Sequence, residues 1–336
     1  MSAPETPRTI ATAWIITDGK AGDLVQCQGV AEALGLEAEI RTVAPRAPWV
    51  WLMPWGPPDP RESPGRPGGP LAGPWPDLAI ASGRRTVASL RALKKASGGR
   101  TFTVFLKDPR TGPGVADLVW APEHDRLRGD NVLATLTSPH RLSDTRLAEA
   151  RREASTLLPP LAAPRVAVLL GGDSLAYRFS AADEDRLVAR LASLAGEGAS
   201  LMATASRRSP PALARAVEQV VRASGGFWWS GEGPNPYAAM LATADAIVVT
   251  ADSVNMVGEA CATGRPVLVF EPAERKRGSA AKIRRFLEGL RQHGAVREFQ
   301  GHLESYAYVR LNSTPVIAAA ITAAFAGPAS SRQRPG

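Results

Sequence analysis

Short apolar runs that end in a polar turn and open directly into a helical stretch recur along this chain. Ala13–Thr17 passes into Asp18-Gly-Lys20-Ala-Gly22-Asp23 and a helical pattern over residues 24–34. Arg165–Leu170 passes into Gly171-Gly172-Asp173-Ser174, and the β-branched run 246–249 into Thr250-Ala-Asp252-Ser253. Strand, turn and helix repeated in that order predict an α/β chain whose parallel sheets are covered by helices on both faces. Further strands over residues 39–43, 77–81, Phe102–Leu106 and 118–121 complete a first sheet, and Leu157-Leu-Pro159-Pro160 reads as a linker to a second. The expected organisation is a first half over residues 1–157, a second over 161–312, a helix over 313–326 and a disordered tail over 327–336. Both halves are Rossmann-like, and a cleft between them would be faced by the C-terminal ends of both sheets.

At 336 residues the chain has room for two cores, and 44% hydrophobic with 21% charged residues is ordinary for a globular protein. Its formal charge of +8 favours anionic partners. No basic stretch is interleaved with aromatics, so nucleic acid is not expected as a partner. The two cysteines, Cys27 and Cys261, have no metal-ligand spacing, so no metal is expected and a reducing cytoplasmic compartment fits. The apolar run 316–326 is shorter than a membrane span. One segment breaks the rhythm. Residues 45–76 hold eleven prolines and five glycines, which predicts irregular chain, and four of the eight tryptophans: Trp49, Trp51, Trp55 and Trp75. Such a loop either folds back onto the core or sets Trp49, Trp51 and Trp55 on an anionic membrane surface, as a peripheral protein at the inner face of the plasma membrane.

The turns after the strands carry the candidate chemistry. Ser253 is placed to cap a helix that Gly264 and Pro266 end, with Asn255 and Glu259 one turn apart on one face. Backbone N–H groups at such a helix start suit a diphosphate, and a carboxylate one turn further in suits a pair of ribose hydroxyls. The alternative is an ordinary crossover with a solvated Glu259. Gly171, Gly172 and Ser174 form a small-residue loop fit for phosphate, although Asp173 opposes it. Arg207 and Arg208 follow the next strand, and one of the two is expected to hold phosphate. In the first half, Lys20 is a candidate for an acceptor phosphate or leaving group, and Asp18, Asp23 and His124 are candidates for a general base. For each, a structural role is the competing reading. No Ser-His-Asp spacing, zinc signature or Walker loop is present.

Several segments together resemble one family. They are Asp18-Gly-Lys-Ala-Gly, Asp77-Leu-Ala-Ile-Ala-Ser-Gly-Arg-Arg85, Lys107-Asp-Pro-Arg110, Ala121-Pro-Glu-His-Asp125, Asn131-Val, Gly171-Gly172, Ser206-Arg-Arg-Ser-Pro210, Asn235-Pro-Tyr237 and Thr250-Ala-Asp-Ser-Val-Asn-Met256. In order, over residues 14–270, they look like the mitochondrial fission proteins of the plant "elongated mitochondria" type and their bacterial relatives. The two-half pattern also resembles the GT-B glycosyltransferase fold. These resemblances imply a nucleotide-sugar ligand in the second half, held by Gly171, Gly172, Ser174, Arg207, Arg208, Asn235, Tyr237, Ser253, Asn255 and Glu259. Together with the loop residues read above, the expectation is catalysis by Asp18, Lys20 and His124 without a required cofactor, and sugar transfer to a membrane-linked or envelope acceptor. A sugar-nucleotide epimerase and a non-catalytic fission or envelope adaptor are the alternatives. The Arg-, Ala- and Pro-rich composition looks bacterial, so organelle fission itself is not expected.

Overall fold

Trp14, Ile15 and Ile16 are buried together, so β1 (Ala13–Thr17) is covered on both faces, as a central parallel strand must be. In the computed structural model, which describes residues 9–327, β1 pairs in parallel with β2 (Ala38–Thr42) on one side and β3 (Leu78–Ser82) on the other. β4 (Phe102–Leu106), β5 (Leu118–Pro122) and β6 (Val132–Thr135) extend a six-stranded sheet of order β2-β1-β3-β4-β5-β6. The period of two divides its side chains into two cores. Ile15, Ile80, Val104 and Trp120 pack toward α1 (Ala21–Ala33) and the C-terminal helix, while Trp14, Ile16, Ala81 and Phe105 pack with residues of α3 (Val87–Ala96).

The second sheet has the order β12-β11-β10-β7-β8-β9, again all parallel. Its strands are β7 (Arg165–Leu170), β8 (Ser200–Ala205), β9 (Phe227–Trp229), β10 (Ala246–Thr250), β11 (Val267–Phe270) and β12 (Val296–Glu298). The covering helices include α6 (Ala181–Gly196) and α7 (Pro211–Ala223), whose Leu187, Leu191, Leu213 and Val217 share a core with Val166 and Val168 of β7. α6 starts at a capping box in which Ser180 and Asp183 satisfy each other's backbone N–H. The expected α/β class with two Rossmann-like halves is therefore present.

The halves divide elsewhere than expected. One unit comprises Met1–Arg141 and Ser313–Gly336, the other Leu142–Asn312. The helices α4 (Asp144–Arg152) and α5 (Ala154–Leu157), expected in the first half, belong to the second unit. There Arg151 donates twice to the Ala242 carbonyl, at 2.9 and 2.6 Å, at the end of α8 (Tyr237–Thr243). The terminal helix, α11 (Ser313–Ala326), packs in the first unit, where Phe325 meets Phe102 edge-on at 5.9 Å. The expected tail lies almost wholly outside the described residues.

Three local expectations need correction. α1 begins at Ala21 rather than at 24, because Ala21 and Gly22 enter the first turn and Asp23 lies there beside the positive helix end. The Pro-rich segment is not wholly irregular: α2 (Trp49–Leu52) and a 3₁₀ turn at Pro60–Glu62 form within it. Its base folds onto the first unit, with Met53 and Leu71 buried and Asp59 accepting from the Arg46 guanidinium at 2.9 Å. Its tip does not, for Trp51 is 75% and Trp55 65% exposed. Finally, β6 continues the first sheet beyond residue 121. It is a four-residue edge strand whose side chains are only partly buried, so its apolar run is shorter than those of its neighbours.

Candidate functional site

In chain order the second sheet reads third, second, first, fourth, fifth, sixth strand across its width, so the direction of winding reverses between β7 and β10. Ligands of doubly wound sheets bind beyond the C-terminal strand ends at that reversal. The loops there are Gly171–Ser174 after β7 and Ala251–Ser253 after β10, joined by Ser206–Ser209 after the neighbouring β8. Every one of them carries residues expected from the sequence.

Ser253 is the N-cap of α9 (Val254–Cys261), its hydroxyl accepting from the Met256 N–H at 3.5 Å. Asn255 is exposed on the first turn and Glu259 half-buried on the second. The Tyr237 hydroxyl, at the start of α8, donates to Glu259 Oε2 at 2.5 Å. Burial pushes the Glu259 carboxyl up to about 7, with the Tyr237 hydrogen bond opposing part of the rise. Burial and the neighbouring carboxylate also raise the Tyr237 hydroxyl well above its ordinary value, so it stays a donor. Asn235 is exposed and its side-chain oxygen accepts from the Tyr237 N–H at 2.9 Å, an Asx turn that sets the start of α8.

The Gly171–Gly172 loop is built differently from an open phosphate cradle. The Gly171 N–H donates to Thr250 Oγ1 at 2.7 Å, and that hydroxyl donates to Asp252 Oδ1 at 2.7 Å. The Gly172 N–H donates to Asp252 Oδ2 at 2.8 Å, the Asp173 N–H to the Arg208 carbonyl at 3.2 Å and the Ser174 N–H to the Tyr177 carbonyl at 3.0 Å. Ser174 Oγ accepts from the Ala176 and Tyr177 N–H groups, so it closes a turn. The loop's four N–H groups are thus spent within the protein. Both glycines are required by close packing, since a Cβ on Gly171 would overlap the Asp252 carboxylate and one on Gly172 the Arg208 carbonyl.

Asp252, which the sequence reading did not assign, is the centre of this arrangement. Its side chain is 0% exposed and pairs with Arg208 at 3.0 Å. Burial pushes its carboxyl above the ordinary value, against the lowering by Gly172 N–H, Thr250 and Arg208. Arg208 also donates to the Asp173 carbonyl at 3.2 Å and is committed to the loop. Both arginines are exposed, but the Arg207 side chain makes no hydrogen bond or ion pair among the described residues, so of the two it is the one left to meet a ligand.

In the first unit the winding reverses between β1 and β3. The Asp18 side chain is 1% exposed and pairs with Lys20 at 3.2 Å. Asp23 pairs with Lys107, which follows β4 with a positive φ of 85°. Such a backbone costs a non-glycine residue about 1–3 kcal/mol and persists only where its surroundings hold it. Gly83, after β3, faces this group: a Cβ there would lie 3.1 Å from Asp23 Oδ2 and 3.5 Å from Asp18 Oδ1. Asp18, Lys20 and Asp23 are thus brought together, with Lys107 added. His124 follows β5, three strand spacings from β1, roughly 14 Å at ~4.8 Å each. There its side chain is 6% exposed, with Nε2 3.8 Å from Asp125. Among the described residues no cluster of three or more His, Cys, Asp and Glu suits a metal ion, and no helix is long and apolar enough to cross a membrane.

The model of the mitochondrial fission ELM1 family matches residues 21–325. The chain belongs to that family. Mitochondrial fission protein ELM1 of Arabidopsis thaliana is 29% identical over 266 residues, which cover 71% of this chain and 61% of that relative. The chain therefore spans about three fifths of the plant protein's length. In structure, MurG of Acinetobacter baumannii is similar with a TM-score of 0.46 at 13% identity, over 88% of this chain and 87% of that one. The UDP-GlcNAc 2-epimerase from Methanocaldococcus jannaschii is similar with a TM-score of 0.48 at 9% identity, over 94% and 100% of the two chains.

Proposed function

We propose that this family member binds a nucleoside diphosphate-sugar at the β7–β10 reversal of its second unit and transfers the sugar to a membrane-linked or envelope acceptor. The observation that carries the reading is Glu259, half-buried one turn inside α9 behind the Ser253 cap. A carboxylate there suits two ribose hydroxyls, and the first-turn N–H groups of Val254 and Asn255 suit a diphosphate, helped by the positive helix end and exposed Arg207. Stabilising a leaving diphosphate by a helix end and a guanidinium requires no metal. Asp18, Asp23 and Lys107 are the candidates for engaging an acceptor hydroxyl, and Lys20 for an acceptor phosphate. Exposed Trp51 and Trp55 support peripheral contact with an anionic membrane.

One observation favours a second reading, a non-catalytic adaptor: the Gly171–Gly172 loop is satisfied by Asp252 and offers no free N–H group. A thermal-shift screen of nucleoside diphosphates and their sugars against the purified protein separates the two. A ligand at a hundred times its dissociation constant adds about 2.7 kcal/mol of stability, which a melting curve resolves. Stabilisation by at least one nucleotide supports the transferase reading; none by any of them at millimolar concentration leaves the adaptor.

A further inference from the structure

We infer that Asp252 is an anion-specificity element: its carboxylate occupies the anion site of the Gly171–Gly172 loop, so the second unit rejects phosphate there. The inference is independent of nucleotide binding and stands whichever reading of function holds.

Three features carry it. The donors converging on Asp252 are those a phosphoryl group takes: the Gly172 N–H at 2.8 Å, the Thr250 hydroxyl at 2.7 Å and the Arg208 guanidinium at 3.0 Å. The carboxylate is wholly inside, at 0% exposure, so a phosphate cannot share the site and must displace it. The packing is specific to this occupant, because Gly171 has no Cβ where the carboxylate lies and any other residue would overlap it. Two loops besides Asp252's own hold the arrangement. Ser209 donates to the Gly171 carbonyl, and the Asp173 N–H to the Arg208 carbonyl at 3.2 Å. A sequence pattern of strand, Gly-Gly and helix is thereby accounted for without a ligand. Any diphosphate recognised by this unit is left with the start of α9 and Arg207.

Removing the carboxylate should open the site to orthophosphate. The experiment follows the melting temperature of wild type, Asp252→Ala and Asp252→Ser across a potassium phosphate titration, against potassium chloride of matched ionic strength. Asp252→Ser retains a small hydroxyl for the Gly172 N–H and serves if Asp252→Ala does not fold. The expected result is a saturable, phosphate-specific rise in the variants, with affinity at least ~10-fold tighter than wild type, from charged hydrogen bonds regained and a like charge removed. The double variant Asp252→Ser with Arg208→Ala should lose that rise, which places the phosphate on Arg208. A folded Asp252→Ser protein as insensitive to phosphate as wild type would overturn the inference. So would a wild type that responds equally, or a rise that survives in the double variant.

Discussion

The Glu259→Gln substitution tests how the second unit holds its half-buried carboxyl, before any ligand is known. With its carboxyl pushed up to about 7 from an ordinary 4.5, Glu259 makes the fold less stable as it ionises. The sign follows from which state binds the proton. Below pH 4.5 both folded and unfolded chains are protonated there and Glu259 costs nothing. Between 4.5 and about 7 the unfolded chain ionises first, so stability falls, and above 7 the penalty is complete. At ~1.36 kcal/mol per pH unit between the two values the full penalty is about 3 kcal/mol. Glutamine keeps the shape and an oxygen to accept from Tyr237 but cannot ionise. Urea denaturation of wild type and variant at pH 5 and pH 8 reads the difference directly. Part of the penalty is already present at pH 5, so the variant should gain on wild type by about 2.5 kcal/mol between those pH values. An equal pH dependence in both proteins would mean an unshifted, solvated carboxyl, and a variant that loses ground at pH 8 a stabilising structural ion; either refutes the reasoning.

Arg207 and Arg208 should separate by assay. Arg208→Ala removes the guanidinium from buried Asp252, which keeps the Gly172 N–H and the Thr250 hydroxyl, and should cost about 1.5–3 kcal/mol of stability, whereas Arg207→Ala should leave the melting curve unchanged and weaken nucleotide binding measured by calorimetry. Gly171→Ala, which drives a Cβ into the Asp252 carboxylate, should cost about 3 kcal/mol or more in chemical denaturation; a loss under ~1 kcal/mol would mean that the loop is loosely packed. The joint Ser variant at Trp49, Trp51 and Trp55 should abolish flotation with anionic liposomes, while equal recovery of both proteins in the soluble fraction would remove the membrane proposal.

The β-branched runs, glycine turns and prolines made the parallel α/β architecture readable, because strands buried on both faces cannot hide their composition. β6 escaped because it is a run of only four residues, Val132–Thr135, all of them only partly buried. The unit boundary escaped because α4 and α5 join the second unit through contacts such as Arg151 with the Ala242 carbonyl, 91 positions away. At the site, the Ser253 cap was legible from residue type and position. The Tyr237–Glu259 hydrogen bond, 22 positions apart, was not, nor was the fitting of Asp252 against Gly172, 80 positions apart. The glycines that suggested a phosphate loop were real signals of close approach. The groups approaching belong to the same chain: the Asp252 carboxylate at Gly171 and the Arg208 carbonyl at Gly172. Lys107 gives no local sign of its positive φ, which only the surrounding fold imposes.

Calorimetric titration of nucleoside diphosphates into wild type and Glu259→Gln at pH 8 addresses the central claim most directly. Losing one charged hydrogen-bond partner costs about 1.5–3 kcal/mol, roughly tenfold or more in dissociation constant. A nucleotide that binds wild type should bind Glu259→Gln weaker by that order. Unchanged affinity in Glu259→Gln for a nucleotide that wild type binds would contradict it.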